Sequence, residues 1–511
     1  MPNYFELLQI TGLYKKMSSI LDINSSPKGF KGAQILACII LLQVAGGDSI
    51  DDLDLLRNDP GFTKLMNKML ISRLKRKERR AIEKQHRKGK LLIPVPSPSV
   101  VHRWLNRFHD EGVMGPSVES GAFIIPPGGR IKSLYEINCA IVKLMQKQKK
   151  STVATLDMDA TLIAANKKEA RFCYKGFAAY QPLNVWWAEQ QMMIHTEFRD
   201  GNVNAGYEQL RLLKEVITML PEGVSEIRVR SDSAGYQHEF MDFCQREKAA
   251  RDKDIKFVIS NRVTEEFKKA ALQIPDKDWR PVYRNKPLGN KFFKTILTGQ
   301  EWAEIAFVPN KVAIKNPKHI YRYIAIREPL NDSDLSDAKN KDYPFPVYVN
   351  AQKFLYKLHG IVTNIPMPEK NVEKIETRGR PGEFNSGGMW GESVIHWHRE
   401  RCGRSEQAHS IIKSDFGGGK MPSGKFGVNA AWWWISIMAM NLQKLMTLAM
   451  DEKWENSRMK AIRFNLIGIP GIVATHGRQL FLRITEGYEK ILNTLMEIRK
   501  RMVNLFFYDS G

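Results

Sequence analysis

At 511 residues, with 43% hydrophobic and 10% aromatic content, the chain is too long for one ordinary core and too apolar to be disordered, so roughly two to four packed domains are expected. Its 78 Lys and Arg against 55 Asp and Glu leave a formal charge of +23, which points to a polyanionic partner, nucleic acid above all. Five scattered cysteines (Cys38, Cys139, Cys173, Cys244, Cys402), none in a CxxC pair, exclude a disulfide framework and a cysteine zinc site, and fit a reducing cytosol.

Met1–Glu6 lacks a basic start followed by an apolar stretch, so no signal peptide is expected, and no lipidation motif marks either end. The apolar runs Ala33–Gly46 and Ala430–Asn441 fall short of the roughly 20 residues that span a bilayer and read as buried helices, so no membrane partner is expected. Residues 1–145 read as a helical DNA-binding region. Within it, Asp51–Leu56 is a helix of modest amphipathicity, ended near Asp59-Pro60-Gly61. Ile71–Lys90 then holds ten Lys or Arg against two Glu. Such a run is either a solvated helix face or a phosphate-contacting segment, and a chain this basic favours the second. Pro94–Ser99 is a rigid turn, with Ser97 placed to cap a helix and Pro98 suited to its first position. Val101, Trp104, Leu105 and Phe108 follow at i, i+3, i+4 and i+7 and form a buried stripe. His102, Arg103, Asn106 and Arg107 are left outward, as a helix-turn-helix near 94–110 would present them to a major groove. Arg103 and Arg107 are therefore candidate DNA contacts.

Strands take over in the core's first part, residues 146–264. Thr152–Leu156 leads into Asp157-Met158-Asp159; Asn184–Trp187 and Met192–Phe198 form a pair; Asn204–Leu220 is a helix. Glu226–Arg230 is a strand ending at Ser231-Asp232, followed by a helix over Tyr236–Ala250 and a strand over Ile255–Ser260. The order β-β-β-α-β-α-β is that of an α/β, ribonuclease-H-like mixed sheet with helices on both faces. Residues 265–385 break the pattern with short strand-like pieces among Pro, Asn, Asp and Gly, which predicts a β-rich insertion closed by the basic linker Arg378–Gly382. Residues 386–450 return to helix and complete the core, and 451–511 form a C-terminal helical region.

Asp159 and Asp232 end two strands that lie side by side in that fold, so both carboxylates can reach one site at the sheet's carboxyl edge. The third candidate is Glu406; on a helix it shares a face with His409 and Lys413 at i, i+3 and i+7. Glu392 and Glu400 are competing acids. Asp157, two residues before Asp159, faces the same way and is an alternative ligand. Three acids suit phosphodiester chemistry: two Mg²⁺ about 3.5–4 Å apart can activate the attacking oxygen and stabilise the leaving one. Mg²⁺ prefers oxygen donors, which favours carboxylates over His or Cys.

The same stretches resemble insertion-sequence transposases of the DDE type, in the branch whose core carries a long β-strand insertion. The matching residues are Leu156–Thr161 and Arg230–Tyr236 around the first two acids; Tyr174-Lys175-Gly176, Ala179–Leu183 and Arg199–Asn202 between them; and Arg401–Glu406, Lys413-Ser414-Asp415 and Ser423–Trp433 after the insertion. The resemblance covers residues 150–445 well and the first 145 loosely. Its Asp-x-Thr match favours Asp159 over Asp157. It implies Asp159, Asp232 and Glu406 as catalytic metal ligands for two Mg²⁺, with Mn²⁺ as substitute. It also implies cut-and-paste transposition: recognition of terminal inverted repeats in double-stranded DNA, strand cleavage, passage through a hairpin, and strand transfer to target DNA. A homodimer is expected because both ends must be cut together, in a cytoplasmic, nucleoid-associated, prokaryotic-type setting. Lys413 matches the family Lys that contacts a phosphate near the cleaved end, and Arg401 stands for the family Arg. Two departures are visible: the spacing is Arg-x₄-Glu rather than Arg-x₃-Glu, and His398 or Trp397 replaces the Tyr that usually precedes the Arg.

Gly419–Lys425 nearly spells a nucleotide-binding loop, but Phe426 stands where a Mg²⁺-binding hydroxyl is needed and no strand precedes it, so ATP binding is excluded. Lys420 and Lys425 read instead as part of a basic DNA-contacting loop. Trp432, Trp433 and Trp434 read as core. Trp279, Trp302 and Trp390 are the candidates for stacking on a flipped base. His195 and His409 read as structural. The alternatives are a domesticated, catalytically inactive DNA-binding derivative, which intact acids argue against, and a nuclease of RNA–DNA hybrids, which needs neither insertion nor terminal recognition domain.

Overall fold

A computed structural model describes the chain except residues 23–28, 73–75, 78, 81–93, 114–122, 247–254, 289–291, 310–320, 331–346, 350–354, 369–383, 386, 456, 477–478 and 508–511. Most of the basic run Ile71–Lys90 and the whole linker Arg378–Gly382 lie outside the described residues.

The first part of the core follows the predicted order. Strands β1 (Val153–Ala160), β5 (Leu183–Trp187) and β6 (Met192–Glu197) are antiparallel neighbours, and β7 (Glu226–Ser231) and β8 (Lys256–Ser260) add in parallel on the other side of β1. The spatial order β6-β5-β1-β7-β8 is the ribonuclease-H-like arrangement. Every residue of β5 and β6 is buried, as expected of strands covered on both faces. Between β1 and β5 the chain makes a small separate sheet from β2 (Ile163–Ala164), β3 (Arg171–Phe172) and β4 (Ala178–Tyr180), in the order β2-β4-β3.

The strands of the insertion do not build a sheet of their own. β9 (Arg280–Leu288), β10 (Phe292–Ile305), β11 (Arg322–Pro329) and β13 (Leu355–Thr363) continue the core sheet beyond β8 in the order β8-β13-β11-β10-β9, and β12 (Val347–Val349) pairs with β13. The junction is antiparallel, Ile361 opposite Ser260 and Thr363 opposite Val258. Helix α11 (Gly391–Asp415) then crosses back over this sheet and delivers the third candidate acid.

Two helices that are apolar all round hold the helical half together. In α3 (Gly32–Ala45) nearly all side chains are buried, and in α12 (Phe426–Thr447) every residue but Lys444 is. A helix without a polar face must lie inside a core. The two pack on each other, with Gln43 donating to the Ser436 hydroxyl at 3.0 Å. The predicted stripe Val101, Trp104, Leu105 and Phe108 is buried, on α6 (Pro98–Leu105) and the turn after it. Trp432, Trp433 and Trp434 are buried as expected. The open edge of β6 is covered by side-chain amides: Asn138 of α7 (Gly129–Gln148) donates to the Met193 carbonyl at 3.1 Å, and Asn441 of α12 bonds both backbone groups of Met193.

The C-terminal region, expected to be helical throughout 451–511, is helical at its two ends but contains a hairpin, Gly471–His476 with Gln479–Ile484. Helix α15 (Glu489–Phe507) returns to α1 (Pro2–Ile10), where Arg499 pairs with Glu6 at 2.7 Å. Among the described residues no single helix is long and apolar enough to cross a membrane. The bent pair Gly32–Ala45 and Ile50–Asn58 passes only as a pair, turned by 94°, and its first helix is core.

Candidate active site

Strand alternation sends Asp157 and Asp159 to the same face of β1, but their surroundings differ. Asp157 is fully buried and lies opposite Arg230 in the parallel register of β1 and β7. Arg230 donates to both of its oxygens, at 2.6 and 2.9 Å, and also reaches the Trp397 carbonyl at 2.7 Å and Glu400 at 3.1 Å. The clamp therefore fastens two core strands to α11. Burial holds the Asp157 carboxyl above its usual range against the pull of Arg230. Glu392, the other competing acid, accepts from the Tyr283 amide at 2.8 Å.

Two residues on, at the strand's end, Asp159 has no such clamp. The last paired residues of β1 and β7 are Met158 and Ser231, so Asp159 and Asp232 come next, side by side. Asp232 leaves its strand at once: one carboxylate oxygen accepts from the Ala234 amide at 2.9 Å and caps the turn Ser233–Gly235. Helix α11 passes over this edge and contributes Arg401, Ser405 and His409, all buried, and Glu406, exposed. The Arg401 guanidinium stands 3.3 Å from Asp159.

Burial pushes the Asp159 carboxyl up to about 7; Arg401 opposes the shift, while the charges of Asp232 and Glu406 reinforce it. Acids from two other elements thus act on the Asp159 carboxyl. Among the described residues no three His, Cys, Asp or Glu side chains are gathered in metal-binding geometry; what the acids share is a common field.

Both buried histidines of α11 are held neutral. His398 is pushed down to about 3 by burial and then by Arg401, and its Nε2 lies 3.0 Å from the Ser231 carbonyl, a distance at which the neutral ring donates. His409 is likewise lowered to about 3, by burial, then Lys413 and Arg401. Its Nδ1 lies 3.9 Å from Asp159 and its Nε2 3.2 Å from the Asn184 amide, so it orients the site without supplying charge. Arg401 Nε and the Ser405 hydroxyl are buried without a hydrogen-bond partner among the described residues. Lys413 donates to the Thr161 hydroxyl at 3.0 Å, just beyond Asp159, and burial lowers its ammonium pKa.

The remaining candidates stand apart from the acids. Arg103 and Arg107 are exposed, on α6 and the turn after it. Lys420 pairs with Asp48 at 2.6 Å, and Lys425 with Glu111 at 3.5 Å. Of the aromatic candidates, Trp279 is buried beneath the Arg327 guanidinium, 4.4 Å from the ring, Trp302 is buried, and Trp390 is half-buried at the start of α11. Arg230 and Asn184 were missed by sequence reasoning. Arg230 has a signal: Arg230-x-Asp232 repeats the spacing of Asp157-x-Asp159 on the adjacent parallel strand, which places opposite charges side by side.

A family model described as transposase DDE domain group 1 matches residues 5–326. That span contains Asp159 and Asp232 and stops before Glu406. No curated protein matches the chain. Among solved structures, the chain is similar to a cryo-EM structure of the piggyBac transposase synaptic complex with hairpin DNA, at 10% identity and a TM-score of 0.46, over 90% of this chain and 78% of that one.

Proposed function

We propose, from the premise that this chain belongs to the transposase DDE domain group 1 family, that its edge cluster cuts and rejoins DNA at the ends of a mobile element. The observation that supports this reading is the convergence of three elements on one edge: Asp159 near the end of β1 beside Asp232, and α11 bringing Arg401 within 3.3 Å, with burial first and then the charges of Asp232 and Glu406 raising the Asp159 carboxyl to about 7. A divalent cation would relieve the repulsion that Asp232 and Glu406 exert on Asp159, and the candidate donors are all carboxylate oxygens, as Mg²⁺ prefers. Asp159, Asp232 and Glu406 would hold two Mg²⁺, or Mn²⁺ in their place, and the ions would supply Lewis-acid activation of the attacking oxygen and charge stabilisation of the leaving one.

The chain's own groups prepare that chemistry. The Asp157–Arg230 clamp fixes the two strands so that the acids beyond them stay in register. His398 pins the Ser231 carbonyl and with it the backbone that carries Asp232. Arg401 balances the acids and is placed to meet a phosphate; Lys413, seven residues beyond Glu406, is the second such cation. Arg103, Arg107, Lys420 and Lys425 contact DNA further out. The ion pairs of Lys420 and Lys425 are exposed and screened by solvent, so a phosphate can displace their partners. The net charge of +23 suits double-stranded DNA, both terminal inverted repeats and target. A homodimer pairs the two ends, and the resemblance to the insertion-bearing branch supports a hairpin intermediate.

The test is nicking of element-end DNA with Mg²⁺ or Mn²⁺. Asp159→Asn, Asp232→Asn and Glu406→Gln should each abolish cleavage while leaving end binding intact. Cleavage at the wild-type rate by any of them removes that residue from the site. A wild-type chain that binds ends and never nicks is the inactive derivative instead.

A further inference from the structure

Two of the motifs that carry the family resemblance, Tyr174-Lys175-Gly176 and Arg199–Asn202, lie outside the acid cluster, yet they build one object. Strands β3 and β4 form a short tongue, Phe172 opposite Ala178, closed by a turn in which the Gly176 amide donates to the Cys173 carbonyl and the Cys173 amide to Phe177, both at 2.9 Å. Gly176 has φ +80°, a conformation other residues adopt at a cost, and the turn projects Tyr174 and Lys175 outward. The second motif supports the tongue from below. Asp200 bridges to Tyr180, and a Cβ on Gly201 would stand 2.5 Å from the Arg171 carbonyl and 2.6 Å from that of Ala179, so only glycine lets this loop lie against the strands.

The tongue exposes what a folded protein normally hides. Phe172 is 70% and Tyr174 77% exposed, and the Lys175 ammonium sits 5.8 Å from the Tyr174 ring centre. Lys168, ahead of β3 and next to Gly424, is exposed as well. The base of this small sheet is fastened to the site: Thr161 accepts from Lys413, and Glu169 bonds Gly424 and Phe426 at the end of the Lys420–Lys425 loop.

We propose that this tongue is a stacking platform for unpaired DNA bases beside the acid cluster. Exposed rings interleaved with cations suit nucleotides, whose bases offer flat apolar faces and whose phosphates offer negative charge. A second copy of a chain carrying +23 suits the lysines poorly. The inference rests on the transposase reading. It moves the stacking role from the buried Trp279 and Trp302 to Phe172 and Tyr174.

The test uses the full chain in EDTA and fluorescence anisotropy with two probes: a blunt duplex, and the same duplex carrying a short unpaired tail with 2-aminopurine. Wild type should bind the tailed probe about tenfold more tightly and quench its 2-aminopurine. The double variant Phe172→Ala, Tyr174→Ala should lose the preference and the quenching but bind the blunt duplex as wild type does. Tyr174→Trp should retain both. Equal affinity of wild type for the two probes overturns the proposal. So does a variant that weakens on both probes equally, or one that changes only self-association, which would give the surface to a protein partner. A wild-type chain that binds neither probe sinks the transposase reading itself.

Discussion

Asp157 and Asp159 are the same residue type on the same strand face, and their surroundings give them opposite characters. The first has both oxygens taken by Arg230 inside the sheet. The second, at the edge, meets Arg401 at 3.3 Å and the fields of two further acids. Each carboxyl is raised by burial, so burial alone does not tell them apart. Partnering does: a clamped acid stabilises the fold, and an acid crowded by its own kind is poised to take up a cation.

The sharpest way to break the comparison is to remove each carboxylate in turn. Asp159→Asn should cost cleavage about a thousandfold or more, corresponding to the several kcal/mol a metal site supplies to a phosphoryl transition state. Its thermal midpoint should hold or rise, because a crowded charge has gone. Asp157→Ala should do the reverse: it leaves the buried Arg230 with only the Trp397 carbonyl and the exposed Glu400, costing about 3 kcal/mol of stability by denaturant titration. If Asp157→Ala unfolds like wild type and Asp159→Asn does not, the roles are exchanged.

Much of the fold was legible because the core strands announce themselves. Thr152–Leu156, Asn184–Trp187, Glu226–Arg230 and Ile255–Ser260 are β-prone runs bounded by polar turns, and each lies within or against an observed strand. What pattern could not give was pairing between distant segments. Nothing in Gly360–Asn364 states that it lies against Lys256–Ser260, so the insertion's strands read as a block of their own rather than as a continuation of the core sheet. The hairpin Gly471–Ile484 was lost in a stretch otherwise helical. At the site, the three acids could be named from strand ends and motif, but the clamp on Asp157 depends on strand register, and the burial of Trp279 and Trp302 depends on what the sheet packs against.

A pH titration tests the contrast with smaller effects. An acid whose folded pKa is raised disfavours the folded state once the unfolded chain ionises. The contribution of Asp159 to stability should therefore be greatest below about pH 4 and decline as pH rises to about 7, where Asp159 itself ionises. The part assigned to Asp159, about 4 kcal/mol for a carboxyl moved from 3.8 to about 7, is the difference between the wild-type and Asp159→Asn curves. Mg²⁺ should flatten that difference above pH 7, since a bound cation favours the ionised carboxyl. Identical curves would mean that folding does not raise the Asp159 carboxyl.

Lys413 should give the smallest effect, because it touches neither Asp159 nor the clamp. It lies on α11 with Glu406, yet its ammonium is spent on the Thr161 hydroxyl, a neutral acceptor, while burial lowers its pKa. A half-buried cation with only a neutral partner stands ready for an anion, and a phosphate beside the cleaved strand is the anion this site would bring. Lys413→Ala should therefore slow cleavage about tenfold, roughly 1.4 kcal/mol, and lower the salt dependence of end binding by about one phosphate contact. Lys413→Arg should restore the salt dependence but not the full rate, since a planar guanidinium cannot keep the ammonium's bond to Thr161 while reaching the phosphate. A Lys413→Ala variant with an unchanged salt slope and a lower melting temperature would instead make this lysine a strut between α11 and the end of β1.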